Sequence, residues 1–229
     1  MNIKLDEKIE KVKDMSIEEL CKKFNCKPEE ICVGDYNAKN TNDTVCPYKV
    51  ILGFANFEGS NVKSLGDLEV VYGKKLIDKN SPIKTIHHNP IYLGITIKNS
   101  KIRCLGNLKK VYGSIDLNYN IKSLGNLKFL GSNLYLVNSN VEDLGELEII
   151  DGVLNLEDDV TKCKLTSLGK LKKLRRLYIN SNCLKDLGDL EEVREISIPK
   201  NKYLQVRNLI TSNLSNTGTK YIRKELKVD

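Results

Sequence analysis

One short motif constrains this chain more than any other feature. Leu-Gly-x-Leu recurs at Leu65–Leu68, Leu105–Leu108, Leu124–Leu127, Leu144–Leu147, Leu168–Leu171 and Leu187–Leu190. Successive starts are 40, 19, 20, 24 and 19 residues apart. A fixed period near 20 means a solenoid, in which each unit is one turn that buries its apolar side against its neighbours. The 40-residue gap reads as two units, the second a worn copy running from Ile83 and Ile86 to Gly94-Ile-Thr-Ile97.

Within each unit an apolar pair two residues apart precedes the motif: Ile95/Ile97, Ile115/Leu117, Leu134/Leu136, Leu154/Leu156, Leu177/Ile179 and Ile196/Ile198. That spacing puts both side chains on one face of a strand. Phe54-Ala-Asn-Phe57 reads as the first strand and Leu76-Ile-Asp78 as a poorly formed second. Three residues beyond each pair stands a small polar residue: Ser60, Ser100, Asn120, Ser139, Asp159, Asn182 and Asn201. Another apolar residue follows, as at Val62, Ile102, Val141 and Leu184, and the leucines of Leu-Gly-x-Leu then turn inward. Gly73, Gly113, Gly131 and Gly152 lead into the next strand.

At these residues the sequence resembles the leucine-rich-repeat family, whose signature is Leu-x-x-Leu-x-Leu-x-x-Asn/Cys-x-Leu. The resemblance spans roughly Phe54 to Lys202. It implies an α/β repeat solenoid, a right-handed coil with a parallel sheet of seven or eight short strands on its concave face. Serine or aspartate often stands where the family has asparagine, so that side chain should bond the backbone less uniformly. Units of about 20 residues leave no room for a strand plus a full helix, so short turns or 3₁₀ pieces are expected on the convex face.

Three regions follow: 1–50 as a helical N-terminal cap, 51–202 as the solenoid and 203–229 as a C-terminal cap. In the first, Ser16-Ile-Glu-Glu19 is a capping-box pattern, followed by Ile17, Leu20, Cys21 and Phe24 at helical spacing. Pro28 opens a second short helix, where its missing N–H costs nothing. This element is expected to cover the first strand of the stack. Residues 203–209 and 221–226 read as helices closing the other end. The insertion from Asp158 to Lys164 reads as tolerated drift.

The composition excludes several classes. No run approaches the roughly 18 apolar residues of a membrane helix. The first residues, Met-Asn-Ile-Lys-Leu-Asp-Glu-Lys, lack the apolar centre of a secretion signal, so a cytoplasmic protein is expected. Seven cysteines are scattered as Cys21, Cys26, Cys32, Cys46, Cys104, Cys163 and Cys183. Without a Cys-x-x-Cys knuckle they read as reduced structural thiols rather than zinc ligands. His87 and His88 are adjacent, so on a strand they point opposite ways and do not share a ligand readily. Phosphate-binding and zinc-protease motifs are missing, and the motif glycines follow the repeat period, as coil geometry requires. An enzyme is not expected, nor a cofactor or a metal.

A binding surface is expected instead. Residues alternating with the buried ones must line the open side of the sheet. These are Thr96, Lys98, Ser114, Asp116, Asn118, Asn133, Tyr135, Val137, Val153, Asn155, Glu157, Arg176, Tyr178, Asn180, Glu195 and Ser197. Tyr135, Tyr178 and Arg176 are the strongest interface formers among them, with Asp116, Asn155, Glu157 and Asn180 beside them. The expected partner is another protein, held by a monomeric scaffold that blocks or scaffolds it. A second reading uses the net charge of +7. Lys170-Leu-Lys-Lys-Leu-Arg-Arg176 joins Lys109, Lys110 and Lys128 in a basic flank in which Lys172, Lys173 and Arg175 stand out. Such a patch suits a nucleic acid or nucleoprotein complex, for example in a viral inhibitor of a host defence protein.

Overall fold

The computed structural model describes residues 9, 11–75, 92–136, 139–156, 164–179 and 184–197. Among them lie helix α1 (Ile17–Phe24), preceded by helical residues 9 and 11–13, 3₁₀ turns at Pro28–Glu30 and Ala38–Asn40, and fourteen strands. In chain order these are β1 (Ile31–Cys32), β2 (Tyr36–Asn37), β3 (Val50–Ile51), β4 (Ala55–Asn56), β5 (Val70–Val71), β6 (Lys74–Lys75) and β7 (Tyr92–Thr96). There follow β8 (Lys110–Val111), β9 (Ser114–Asp116), β10 (Phe129–Leu130), β11 (Leu134–Tyr135), β12 (Ile149–Leu156), β13 (Lys173–Ile179) and β14 (Glu192–Ser197). Apart from the β6–β7 pair all pairing is parallel, and the chain is a β-solenoid of about seven turns with 20-residue spacing.

Each turn has three sides, where the sequence suggested a strand side and an irregular back. A first row of strands runs β1, β3, β5, β8 and β10 into the opening residues of β12, β13 and β14. A second row runs β2, β4, β7, β9 and β11 into the closing residues of the same three strands. The second row is the one expected from the apolar pairs. The first falls on the residues just after Leu-Gly-x-Leu, where turns or 3₁₀ pieces were expected. Short alternating segments such as Lys110–Val111 suffice, because each pairs with a copy of itself one turn away. The two rows meet at a corner lined by glycine. A side chain at Gly131 would meet the Tyr112 backbone oxygen at 2.7 Å, and one at Gly113 or Gly152 would strike the preceding turn in the same way.

The third side is the Leu-Gly-x-Leu turn. In each copy the second leucine N–H donates to the first leucine carbonyl, at 3.1–3.2 Å, with the glycine at φ +54° to +58°. A four-residue turn with a left-handed second position favours glycine there. The polar residue before the motif holds the glycine: Ser64, Ser123, Asp143, Ser167 and Asp186 each accept its N–H, at 2.8–3.1 Å. These residues also stack, Ser123 donating to Asp143 at 2.5 Å and Ser167 to Asp186 at 2.6 Å.

The core is the predicted one. Both leucines of every motif are buried, together with the described members of the second-row apolar pairs except the half-buried Leu117, and with Ile51, Val71, Val111, Leu130, Ile150, Leu174 and Val193 of the first row. Ser60 and Ser100 are buried, each donating to a carbonyl of its own turn and accepting a backbone N–H two residues on.

Four expectations need correction. The 40-residue gap is one turn, not two. Val70 pairs directly with Lys110 and Ala55 with Ile95, so no strand lies between them in either row. The chain leaves the coil after Gly73 and returns at Leu93, the exit and re-entry joined by the antiparallel pairs Lys74↔Leu93 and Lys75↔Tyr92. The supposed second strand at 76–78 and most of the worn copy lie outside the described residues.

The coil also begins earlier than residue 51. Ile31 pairs with Val50 and Tyr36 with Ala55, so residues 31–49 are a full turn. In that turn Tyr36 is buried edge-on to Tyr48 and to Phe57 of the next turn, and Ala38 and Cys46 are buried as well. The helix is where the capping box predicts, with Ser16 and Glu19 bonded reciprocally. It lies elsewhere than expected, however, against the outer surface of the first row. Ile9, Val12 and Leu20 are buried there with Ile31, Val50, Leu52, Val70 and Tyr72. Phe24 meets Tyr72 edge-on at 6.1 Å, Tyr72 stacks on Tyr112 at 4.6 Å, and Tyr112 leans on Phe129 at 5.2 Å.

Finally, Asn118 and Thr96, expected on the open side of the sheet, are buried. The turn from Ile115 to Ile121 is one residue shorter than that from Ile95 to Ile102, which draws Asn118 inward to the small-polar position assigned to Asn120. There its amide donates to the Ile102 carbonyl at 2.8 Å and the Ser100 carbonyl at 3.3 Å. The predicted segments at 203–209 and 221–226, and the insertion apart from Lys164, lie outside the described residues.

Candidate functional site

The outer surface of the second row is built by strand alternation. Ile115, Leu134, Leu154 and Leu177 point into the core on successive turns, so the residue after each points out. Asp116, Tyr135, Asn155 and Tyr178 therefore occupy four consecutive rungs of one column. Four of the seven residues singled out from the sequence are thus brought together. Two rungs separate the tyrosines, about 10 Å at the usual strand spacing. Glu157 and Asn180, also singled out, lie outside the described residues.

The next column along carries Ser114, Asn133, Val153, Arg176 and Glu195. Its members brace the first. Asn133 donates to the Tyr135 hydroxyl at 3.1 Å and accepts the Val153 N–H at 2.9 Å. The Arg176 guanidinium bonds Glu195 at 2.5 Å and sits 5.8 Å from the centre of the Tyr178 ring. Lower down, Lys98 reaches Asp116 at 3.5 Å. Among the described residues of this surface, Lys98 is thus paired with Asp116 and Arg176 with Glu195. Tyr135 is 52% exposed.

Tyr119, at 64% the most exposed large apolar residue described, was not singled out from the sequence. It stands at the edge of the same surface, its carbonyl accepting from Asn140 at 2.8 Å. Its signal is the shortened turn that draws Asn118 inward and leaves Tyr119 at the tip, a difference of one residue.

The basic flank falls on a different side, along the leading edge of the first row. Backbone bonds stack Lys49, Glu69, Lys109, Lys128, Glu148, Lys172 and Glu191 in one column. Its signs alternate along most of its length. Lys109 pairs with Glu69 at 3.0 Å and Lys172 with Glu148 at 3.7 Å, while Lys173 pairs with Glu192 at 3.4 Å and Lys170 with Glu146 at 2.6 Å. Lys110 is exposed beside Lys109, and Arg175 is half-buried near Asp151. Burial raises the Asp151 carboxyl above its ordinary value, against the pull of Arg175 and Arg194. The lysines cluster in the sequence, but their carboxylate partners come from neighbouring turns.

Titration elsewhere follows packing. Burial pushes Cys46 up to about 12 and drives Tyr36 and Tyr72 well above the phenol range. Burial acts on Asp35 in the same direction, but the Phe54 N–H and the Lys74 ammonium outweigh it and hold the carboxyl low. Among the described residues no group of three or more histidine, cysteine, aspartate or glutamate side chains is arranged to hold a metal ion. Among the same residues no helix is long and apolar enough to cross a membrane. His87 and His88 lie outside them. Comparison with protein families, with curated proteins and with solved structures finds no match to this chain.

Proposed function

We propose that this chain is a leucine-rich-repeat-type scaffold, not an enzyme, that holds another protein against the outer surface of its second strand row. In this reading the coil is right-handed, that row lines its concave side, and the protein works as a cytoplasmic monomer that blocks or scaffolds its partner. The alternating strand residues, the buried serines and the cross-turn bonds of Asn118 support the family reading.

The observation that carries the functional reading is the column Asp116, Tyr135, Asn155, Tyr178, braced by Asn133 and Arg176. Tyrosine offers a large amphipathic contact with few rotatable bonds, and neighbouring amides supply adaptable hydrogen bonding. Held on paired strands, these groups need little ordering when a partner arrives. The fit is to a polar, weakly charged protein surface, because the described charges Lys98, Asp116, Arg176 and Glu195 are already matched in pairs.

Binding of nucleic acid through the flank is the weaker reading, since most of its lysines face a carboxylate one turn away. Affinity capture from the native cell supplies the partner, and paired substitutions then locate its site. Tyr135→Ala with Tyr178→Ala should weaken binding by about 2 kcal/mol or more while leaving folding intact. Lys172→Ala with Lys173→Ala should change it little. A loss confined to the lysine pair, shrinking at high salt, would overturn the proposal in favour of the flank.

A further inference from the structure

The C-terminal end of α1 brings two thiols together. Asn25 adopts a left-handed conformation (φ 48°, ψ 60°), and the Cys26 N–H reaches back to the Cys21 carbonyl at 3.2 Å. This closure sets the side chains at its two ends against each other, an apolar contact in most helices that end this way. Here both are cysteines, Cys21 in the last turn of the helix and Cys26 just past the left-handed Asn25. Both are half-exposed at the margin of the apolar patch that seats the helix, next to Phe24 on Tyr72. The ammonium of Lys49 stands over the same corner, donating to the Asn25 carbonyl at 3.1 Å.

The other described cysteines are placed differently. The Cys32 thiol donates to the Gly34 carbonyl, Cys46 is buried with its thiol on the Tyr48 carbonyl, and Cys104 is exposed just before Leu105. We propose that Cys21 and Cys26 are an oxidisable dithiol, which a hydroperoxide converts to a disulfide that staples the end of α1. The step balances with hydrogen peroxide as oxidant. One sulfur attacks the peroxide and becomes a sulfenic acid, releasing the first water. The second sulfur displaces the hydroxyl, its proton leaving in the second water, so the two thiols are oxidised and the peroxide reduced.

The staple spans few residues, so its effect on the unfolded chain is small and its action is local. It holds the last turn of the helix wound and keeps Phe24 on Tyr72, and with it the helix against the coil. Closure quickens as pH rises, the thiolate being the nucleophile.

Freshly reduced full-length protein is treated with hydrogen peroxide, capped with an alkylating agent and mapped by peptide mass. The expected result is a loss of two hydrogens in a Cys21–Cys26 linked pair, reversed by dithiothreitol and abolished in Cys21→Ser and in Cys26→Ser. A first link between any other cysteines, oxygen gain without a link, or persistence of the loss in either variant overturns the proposal. Phenylarsine oxide on the unmodified protein gives a second measurement that needs no variant. One equivalent should shield both thiols from alkylation, and failure to shield them counts against the pair.

Discussion

Glycine does two separate jobs at equivalent positions of this coil, and the difference is measurable. Gly125 and Gly145 both open a Leu-Gly-x-Leu turn at φ near +55°. A methyl group on Gly125 would meet nothing within 4 Å, whereas one on Gly145 would press on the backbone of Gly125 in the turn below. Gly125→Ala should therefore cost about 1–2 kcal/mol, the strain of a left-handed residue with a side chain. Gly145→Ala should cost clearly more, because backbone atoms must also separate. Denaturant unfolding of the two variants checks this, and equal losses would mean that the close approach does not matter. The left-handed requirement is legible in the sequence as an unvarying glycine. The clash is not, because both copies read Leu-Gly-x-Leu. Asn118 makes the same point, since a turn one residue short decided whether it faced solvent or the core.

Helix α1 shows how an element can be read correctly and placed wrongly. Its start follows from Ser16 and Glu19, and its end from a left-handed Asn25. Its seat did not follow, because the apolar residues that receive it, Val50, Leu52, Val70 and Tyr72, sit among core residues of the same type in the sequence. Val50 and Ile51 are neighbours facing opposite sides of one strand, and only pairing tells the patch from the core. Leu20 is the one residue of α1 buried in that patch. Leu20→Ala should cost about 2–5 kcal/mol locally. Because the helix packs on the side of the coil, hydrogen exchange should quicken in α1 and on Val50 and Val70 while the later turns keep their protection. Equal quickening from β9 to β14 would show that the helix is part of the global fold. The charged column taught a related lesson: Lys109 and Glu69 meet only because 40 residues of chain make a single turn.

At the scale of the whole molecule each turn touches only the turns beside it, so stability should be distributed along the stack rather than held at one centre. Leu147 is fully buried in the middle of the described stack. Leu147→Ala should cost about 2–5 kcal/mol, the range for opening a cavity in a packed interior. Unfolding followed by a probe near β4 and by one near β13 should then separate into two transitions. Coincident transitions in that variant would mean that the coil melts as one unit. A period near 20, repeated leucines and alternating pairs made the coil and its core readable from the residues alone. The number of turns was not readable, since an interval twice the period looks like a missing copy.

That doubled interval has a consequence for how the chain can vary. The coil passes from Val70 to Lys110 in the same register it uses between ordinary turns, and the departing and returning segments lie side by side at Lys74 and Leu93. The corner is thus a port. Whatever is threaded through it begins and ends at nearly one point, so its length and content are uncoupled from the packing on either side. A solenoid built this way can exchange a whole peptide at that corner while its rungs stay in step.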